Sequence, residues 1–106
     1  MAAGEFQAVA RVDEIPPGTV TTVYAGDEPL ALARVGDEFY ATQPECLHLH
    51  GPLGEGRLDG CVLTCPWHGW QYDVRTGENE FDRAIQLRTY DVRVEDGRVE
   101  VAVPAE

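Results

Sequence analysis

Apolar and polar positions along the chain alternate with a period of two far more often than they recur at helical spacing. Val92-Arg93-Val94-Glu95 and Arg98-Val99-Glu100-Val101 alternate apolar with charged residues on either side of Asp96-Gly97. A two-residue Asp-Gly connection suits the twist of a β-hairpin, so this pair is the strongest hairpin signal in the chain, with one face expected to be buried and one wet. Leu30 to Val35 and Glu38 to Thr42 form a second hairpin across Gly36-Asp37. Thr19 to Tyr24 is β-branched and aromatic and follows the Pro16-Pro17-Gly18 turn, so it is also predicted to be a strand. Phe6 to Val12 is a first strand, and Asp13-Glu14-Ile15 a short helical turn before the prolines.

The stretch between these strands has a different character. Pro44 to Gly69 holds five glycines (Gly51, Gly54, Gly56, Gly60, Gly69), and Pro52 and Pro66 lie close to its cysteines and histidines. A β framework therefore carries a loop-rich insert, and the chemistry is expected in the insert. No repeat, low-complexity tract or linker interrupts the 106 residues, so one domain is expected over 1–106. A core of that size commonly draws extra stability from a metal or disulfides.

Charge narrows the function classes. Eight basic residues, all Arg, stand against 19 acidic ones, a formal net charge of −11. Such a surface repels phosphate backbones and anionic lipid, so neither nucleic acid nor a membrane surface is an expected partner. A partner with a basic face suits it instead. No apolar run approaches the roughly 20 residues of a spanning helix, and the first residues lack a basic start and an apolar core segment. The expected location is the cytoplasm.

All three cysteines (Cys46, Cys61, Cys65) and all three histidines (His48, His50, His68) fall between positions 46 and 68. An odd cysteine count in such a chain argues against a disulfide framework, and Cys crowded together with His is the usual signature of a metal site. Four of the six form a pattern: Cys46-x-His48, then sixteen residues, then Cys65-Pro66-Trp67-His68. Each loop offers one thiolate and one imidazole, and the strand pair between them can bring the two loops face to face. Spacing alone also permits a Cys₂His₂ zinc site without redox activity. Cys61, in the strand-like run Cys61-Val62-Leu63-Thr64, reads as a small buried hydrophobe. His50 reads as a loop residue beside the site, and Trp67 and Trp70 either shield the site, face a partner or pack on the core.

Cys46-x-His48 and Cys65-Pro66-Trp67-His68-Gly69 resemble the two ligand boxes of Rieske [2Fe–2S] proteins. The resemblance continues through Tyr72-Asp73 and Arg75-Thr76-Gly77 to the terminal hairpin and covers nearly the whole chain. It implies an all-β fold, a Rieske-like antiparallel β-sandwich with a loop-rich cluster-binding subdomain at about 44–72. It implies one [2Fe–2S] cluster, its inner iron held by Cys46 and Cys65 and its outer iron by His48 and His68. Tyr72 stands where many members place a tyrosine whose hydroxyl bonds a cluster cysteine. Trp70 replaces the serine that bonds a sulfide in higher-potential relatives. Gly51 and Trp67 replace the disulfide cysteines of the respiratory and photosynthetic members. The third loop, Glu80-Phe81-Asp82-Arg83, lacks the prolines that often cover the cluster.

The function this resemblance implies is a ferredoxin that is not itself a catalyst. It would carry single electrons from a flavin-dependent ferredoxin reductase to a terminal, aromatic-ring hydroxylating oxygenase. Rieske potentials span about −150 to +300 mV, and one hydroxyl donor instead of two places this centre toward the low end. A self-contained oxygenase would need two further His and a carboxylate for its catalytic iron, and only His50 remains beyond the cluster pair. The small Rieske-fold subunit of a nitrite reductase is the other redox alternative; such subunits commonly lack the cluster ligands, and all four candidates are present here.

Overall fold

The structure is a computed structural model, described here over residues 6–46, 51–67 and 69–102. Nine strands are described: β1 (Phe6–Arg11), β2 (Thr19–Ala25), β3 (Glu28–Val35), β4 (Glu38–Thr42), β5 (Arg57–Asp59), β6 (Val62–Thr64), β7 (Gln71–Asp73), β8 (Thr89–Glu95) and β9 (Arg98–Ala102). Two single 3₁₀ turns, Val12–Glu14 and Leu53–Glu55, are the only helical elements among the described residues. The all-β expectation holds, and the expected helical turn begins one residue early, at Val12, where β1 has already ended.

Every pairing between these strands is antiparallel. Six strands form one sheet in the order β1-β9-β8-β4-β3-β2, and β5-β6-β7 form a second, smaller sheet. β1 and β2, at the two ends of the large sheet, approach each other, so that sheet curls toward a barrel. Each predicted hairpin forms at its expected turn: β3–β4 across Gly36-Asp37 and β8–β9 across Asp96-Gly97. Asp96 at φ 51 and Gly97 at φ 77 are both left-handed, the backbone geometry of a two-residue hairpin loop with the native twist.

Strand β3 explains how two cores fit around one sheet. Leu30 and Leu32 face the interior of the curled sheet with Val23, Phe39, Val99 and Val101. Ala31 and Ala33, on the opposite face, join a second core with Cys46, Leu63, Cys65 and Tyr72. All four β3 residues are at most 1% exposed. Large side chains fill one side, and the alanines let the small sheet and its loops lie close on the other. The two cysteines are thus core residues of the second layer. Gly54, in the Leu53–Glu55 turn, sits so close to the Thr22 side chain and backbone of β2 that a Cβ there would collide.

One expectation needs correction. The terminal hairpin does not have one buried and one wet face. β9 lies between β1 and β8 and is buried on both faces, Glu100 included. The Glu100 carboxylate accepts from Arg93 Nε at 2.7 Å, and Arg98 Nε lies 3.7 Å away. Arg93 in turn stacks its guanidinium over the Phe6 ring at 4.3 Å. A charged position in the alternation is buried because its partners come from β8 and from the strand's own start. Val94 of β8, which the alternation places inside, is 47% exposed.

These environments predict opposite responses to truncation. Leu63→Ala should cost about 2–5 kcal/mol, since Leu63 is fully buried between the sheets. Val94→Thr should stay within about 0.5 kcal/mol. Denaturant unfolding midpoints of the two variants check this, and a Val94→Thr loss as large as that of Leu63→Ala would contradict the placement of β8.

Candidate metal centre

Two loops meet the small sheet at the same end, one entering β5 and one joining β6 to β7. The first follows β4: Glu45 pairs with Pro52 in an isolated antiparallel bridge, and Cys46 N–H donates to Gly51 O at 2.7 Å. The second joins β6 to β7: Thr64 pairs with Gln71, and Cys65 N–H donates to Trp70 O at 2.8 Å. The two loops close alike. Each opens on a cysteine whose N–H closes on the carbonyl five residues later. The β5–β6 hairpin between them, turning at Gly60-Cys61, brings the second loop back to the first.

Cys46 and Cys65 are 1% and 2% exposed, and neither forms a disulfide. They share one core cluster. Burial pushes the Cys65 thiol up, the Trp67 backbone N–H bonded to its sulfur partly opposes this, and the neighbouring Cys46 raises it further. The buried Cys65 thiol therefore resists ionisation, and a cationic group held by the two sulfurs would supply the charge that favours thiolate. The Tyr72 hydroxyl lies 3.1 Å from Cys46 Sγ and is fully buried. With the sulfur as thiolate, that hydroxyl becomes the donor. Two converging sulfurs, a backbone N–H on one and a phenol on the other fit the inner half of a [2Fe–2S] site.

Leu47 to His50 and His68 lie outside the described residues, so the structure places neither the expected imidazole ligands His48 and His68 nor His50. It does place the residues around them. Trp67 is 49% exposed, whereas Trp70 packs against the core that contains both cysteines. The two tryptophans therefore have different surroundings: Trp67 faces solvent and Trp70 faces inward. Gly51 and Trp67 are neighbours, and a Cβ on Gly51 would stand 3.2 Å from Trp67 Cβ and 2.5 Å from Cys65 Sγ. The positions that carry a disulfide in respiratory relatives are thus occupied by a tight glycine–tryptophan contact, and only glycine leaves room for the Cys65 sulfur.

Cys61 is half-buried rather than fully buried, at the turn before β6, with its carbonyl accepting from Val74 N–H at 2.9 Å. It packs at the margin of the second core on the side of Tyr40 and Arg75. After β7 the chain makes a tight turn. Asp73 Oδ1 accepts the Arg75 N–H at 2.9 Å, and Arg75 Nη2 reaches Asp73 Oδ2 at 2.8 Å. Arg75 holds the Asp73 carboxyl below its ordinary range. Gly77, at φ +83, passes so close to the Leu87 carbonyl that a side chain would not fit. That turn accounts for the Asp73, Arg75 and Gly77 of the sequence pattern.

Asn79 is the residue that sequence reasoning missed. It is 1% exposed and lies opposite Tyr72 in an isolated bridge. Its Oδ1 accepts from the N–H groups of Phe81 and Asp82, both at 3.0 Å. The signal was an Asn at the head of a loop without proline, since Asn is a residue that bonds its own backbone two positions on.

Comparison with known proteins places this arrangement. Residues 5–91 match the Rieske [2Fe–2S] domain family. Ferredoxin CarAc of Metapseudomonas resinovorans is 42% identical over 96 residues, covering 89% of this chain and 90% of that protein. The anthranilate 1,2-dioxygenase ferredoxin subunit of Burkholderia cepacia is 38% identical over 101 residues, 93% of either chain. Among solved structures, a complex of reduced oxygenase and oxidized ferredoxin in carbazole 1,9a-dioxygenase contains a chain that superposes with a TM-score of 0.84. That chain is 39% identical, with 95% of each chain covered.

Tyr72→Phe tests the hydroxyl at the sulfur. A donor to a cluster sulfur stabilises the reduced, more negative state, so its loss should lower the reduction potential of the loaded protein while the fold is kept. Protein-film voltammetry with circular dichroism checks both; an unchanged or higher potential would show that the 3.1 Å contact does not act on the centre.

Proposed function

The chain belongs to the Rieske [2Fe–2S] family, and we propose that within it Cys46 and Cys65 hold the inner iron and His48 and His68 the outer iron of one cluster. The pairing of two buried thiols with a phenol on one of them is the observation that carries this assignment. When bound, the cluster accepts and releases one electron. The protein is an electron-transfer component and not a catalyst, as its ferredoxin relatives are. The whole of 1–106 is assigned as one domain, with the cluster-binding part at about 44–72.

Its donor is a flavin-dependent ferredoxin reductase and its acceptor a terminal, aromatic-ring hydroxylating oxygenase. The ferredoxin of carbazole 1,9a-dioxygenase, solved in complex with its oxygenase, supports the second of these. No helix among the described residues is long and apolar enough to cross a membrane, and the cytoplasm is the proposed location. The residues of this chain have three tasks. The core around Ala31 and Ala33 excludes water from the thiolate side. The backbone closures at Cys46 and Cys65 set the two thiols in that core. The half-exposed Trp67, next to His68, stands on the surface through which an electron would leave. The −11 charge favours partners with a basic docking face.

Two outcomes follow. Cys46→Ser and His68→Ala should abolish the normal visible and EPR signals and lower iron content, while Cys61→Ser should leave both intact. Bleaching by Cys61→Ser with retention in Cys65→Ser would overturn the ligand assignment. Electron transfer from the cognate reductase should slow as ionic strength rises, because screening shortens to about 8 Å at physiological salt. A rate indifferent to salt would instead assign docking to apolar contact through Trp67, Leu49 and Pro52.

A further inference from the structure

The loop from Asn79 to Gln86 has no proline, yet it is tied down throughout. Glu80 N–H donates to Gln71 O at 2.9 Å and Asn79 N–H to Ile85 O at 2.8 Å. Asp82 Oδ1 accepts from Ala84 N–H at 3.0 Å, and Ile85 N–H returns to Asp82 O at 3.0 Å. At the centre is the Asn79 side chain. Two N–H donors converge on one of its atoms, which fixes that atom as the oxygen. The Nδ2 group is the one buried side-chain polar atom without a hydrogen-bond partner among the described residues. A buried amide that leaves its nitrogen unpaired is costly, so the two bonds to its oxygen have to be worth keeping.

What those bonds hold is Phe81. Its ring is 66% exposed, unusually open for a phenylalanine, and it stands edge-on to Trp70, with centroids 5.0 Å apart and planes at 83°. Trp70 packs on the core with Cys46, Cys65 and Tyr72, and its carbonyl closes the second ligand loop. Asn79 and Tyr72 are directly opposed in an antiparallel bridge, so their side chains share the face that Tyr72 turns toward Cys46. A chain of contacts therefore runs from a buried amide through an ordered loop to an exposed aromatic ring that covers the outer edge of Trp70.

We propose that Asn79 is a positioning residue for the redox centre: it fixes the 80–84 loop so that Phe81 shields Trp70 and the flank of the site from water. The cluster becomes more negative on reduction, and water beside it stabilises that added charge. Removing the shield hydrates the flank and raises the potential. Asn79 acts only through Phe81, so its effect disappears when Phe81 is already gone. This inference rests on the electron-carrier reading above for its redox consequence, but not for the ordering of the loop.

The test uses the loaded protein and a double-mutant cycle. Phe81→Ala and Asn79→Ala should each raise the potential measured by protein-film voltammetry, and the double variant should shift no further than Phe81→Ala alone. Additive shifts, no shift, or a fall in potential for Asn79→Ala, as expected of losing a nearby amide dipole, would each overturn the proposal. Hydrogen exchange of the amides gives a second readout. Protection of Phe81 and Asp82 should be lost in Asn79→Ala and kept in Asn79→Asp, which retains the acceptor, with the core amides unchanged in both. A uniform loss across the core would show a merely structural role and contradict the proposal. If Asn79→Ala does not load, Phe81→Ala decides: an unchanged potential overturns the shield. Failure of the electron-carrier reading is distinguishable, because the parent protein would then show no redox couple while the exchange pattern still reports on the loop.

Discussion

Two thiols side by side in a dry core form an arrangement that is stable as a functional site only with a cation between them. Much of this fold follows from that constraint. Each thiolate needs a loop whose backbone turns back sharply, and each loop is closed by the cysteine's own N–H. The loops need a platform that brings them together, and the three-stranded sheet provides it. The platform needs a partner layer thin enough to seal the sulfurs from water, and the Ala31 and Ala33 face of β3 provides that. Hydrophobic burial and metal binding are therefore not separate contributions here. The second core is filled in part by Cys46 and Cys65, the proposed ligands, so loading the site and packing that layer would be coupled.

The six-stranded sheet carries the opposite load. Its interior is built from leucine, valine and phenylalanine and has no group that requires a cofactor. Small differences between the loops then tune the site. A glycine at 51 admits the Cys65 sulfur, a phenol at 72 reaches Cys46, and a tryptophan at 70 brings no hydroxyl where higher-potential relatives have one.

The hairpins were readable in the sequence because their information is local: alternation and a two-residue Asp-Gly turn determine the pairing of β8 with β9. The family was readable because Cys46-x-His48 and Cys65-Pro66-Trp67-His68 stand at two short spacings within a β framework, and residues 5–91 match the Rieske [2Fe–2S] domain family. Glu100 and Val94 were misread because burial depends on which strand lies alongside. β1 joins β9 from the other end of the chain, and no pattern within the hairpin announces it. Asn79 was missed for a related reason. Its side chain matters through two backbone groups and a bridge to Tyr72, none of which leaves a periodic trace. Cys61 was placed in the core by its neighbours Val62 and Leu63, but it sits at the turn, where the strand has not yet entered the layer.

The ligand set is the central claim, and hyperfine spectroscopy tests it most directly. Protein grown with ¹⁵N-labelled histidine, reduced and examined by pulsed EPR, should show two imidazole nitrogens coupled to the reduced cluster. Substitution of either His48 or His68 should remove one of them or the cluster itself, and substitution of His50 should remove neither. A reduced protein with no nitrogen coupling, or a colourless one holding a single zinc and no sulfide, would contradict the account.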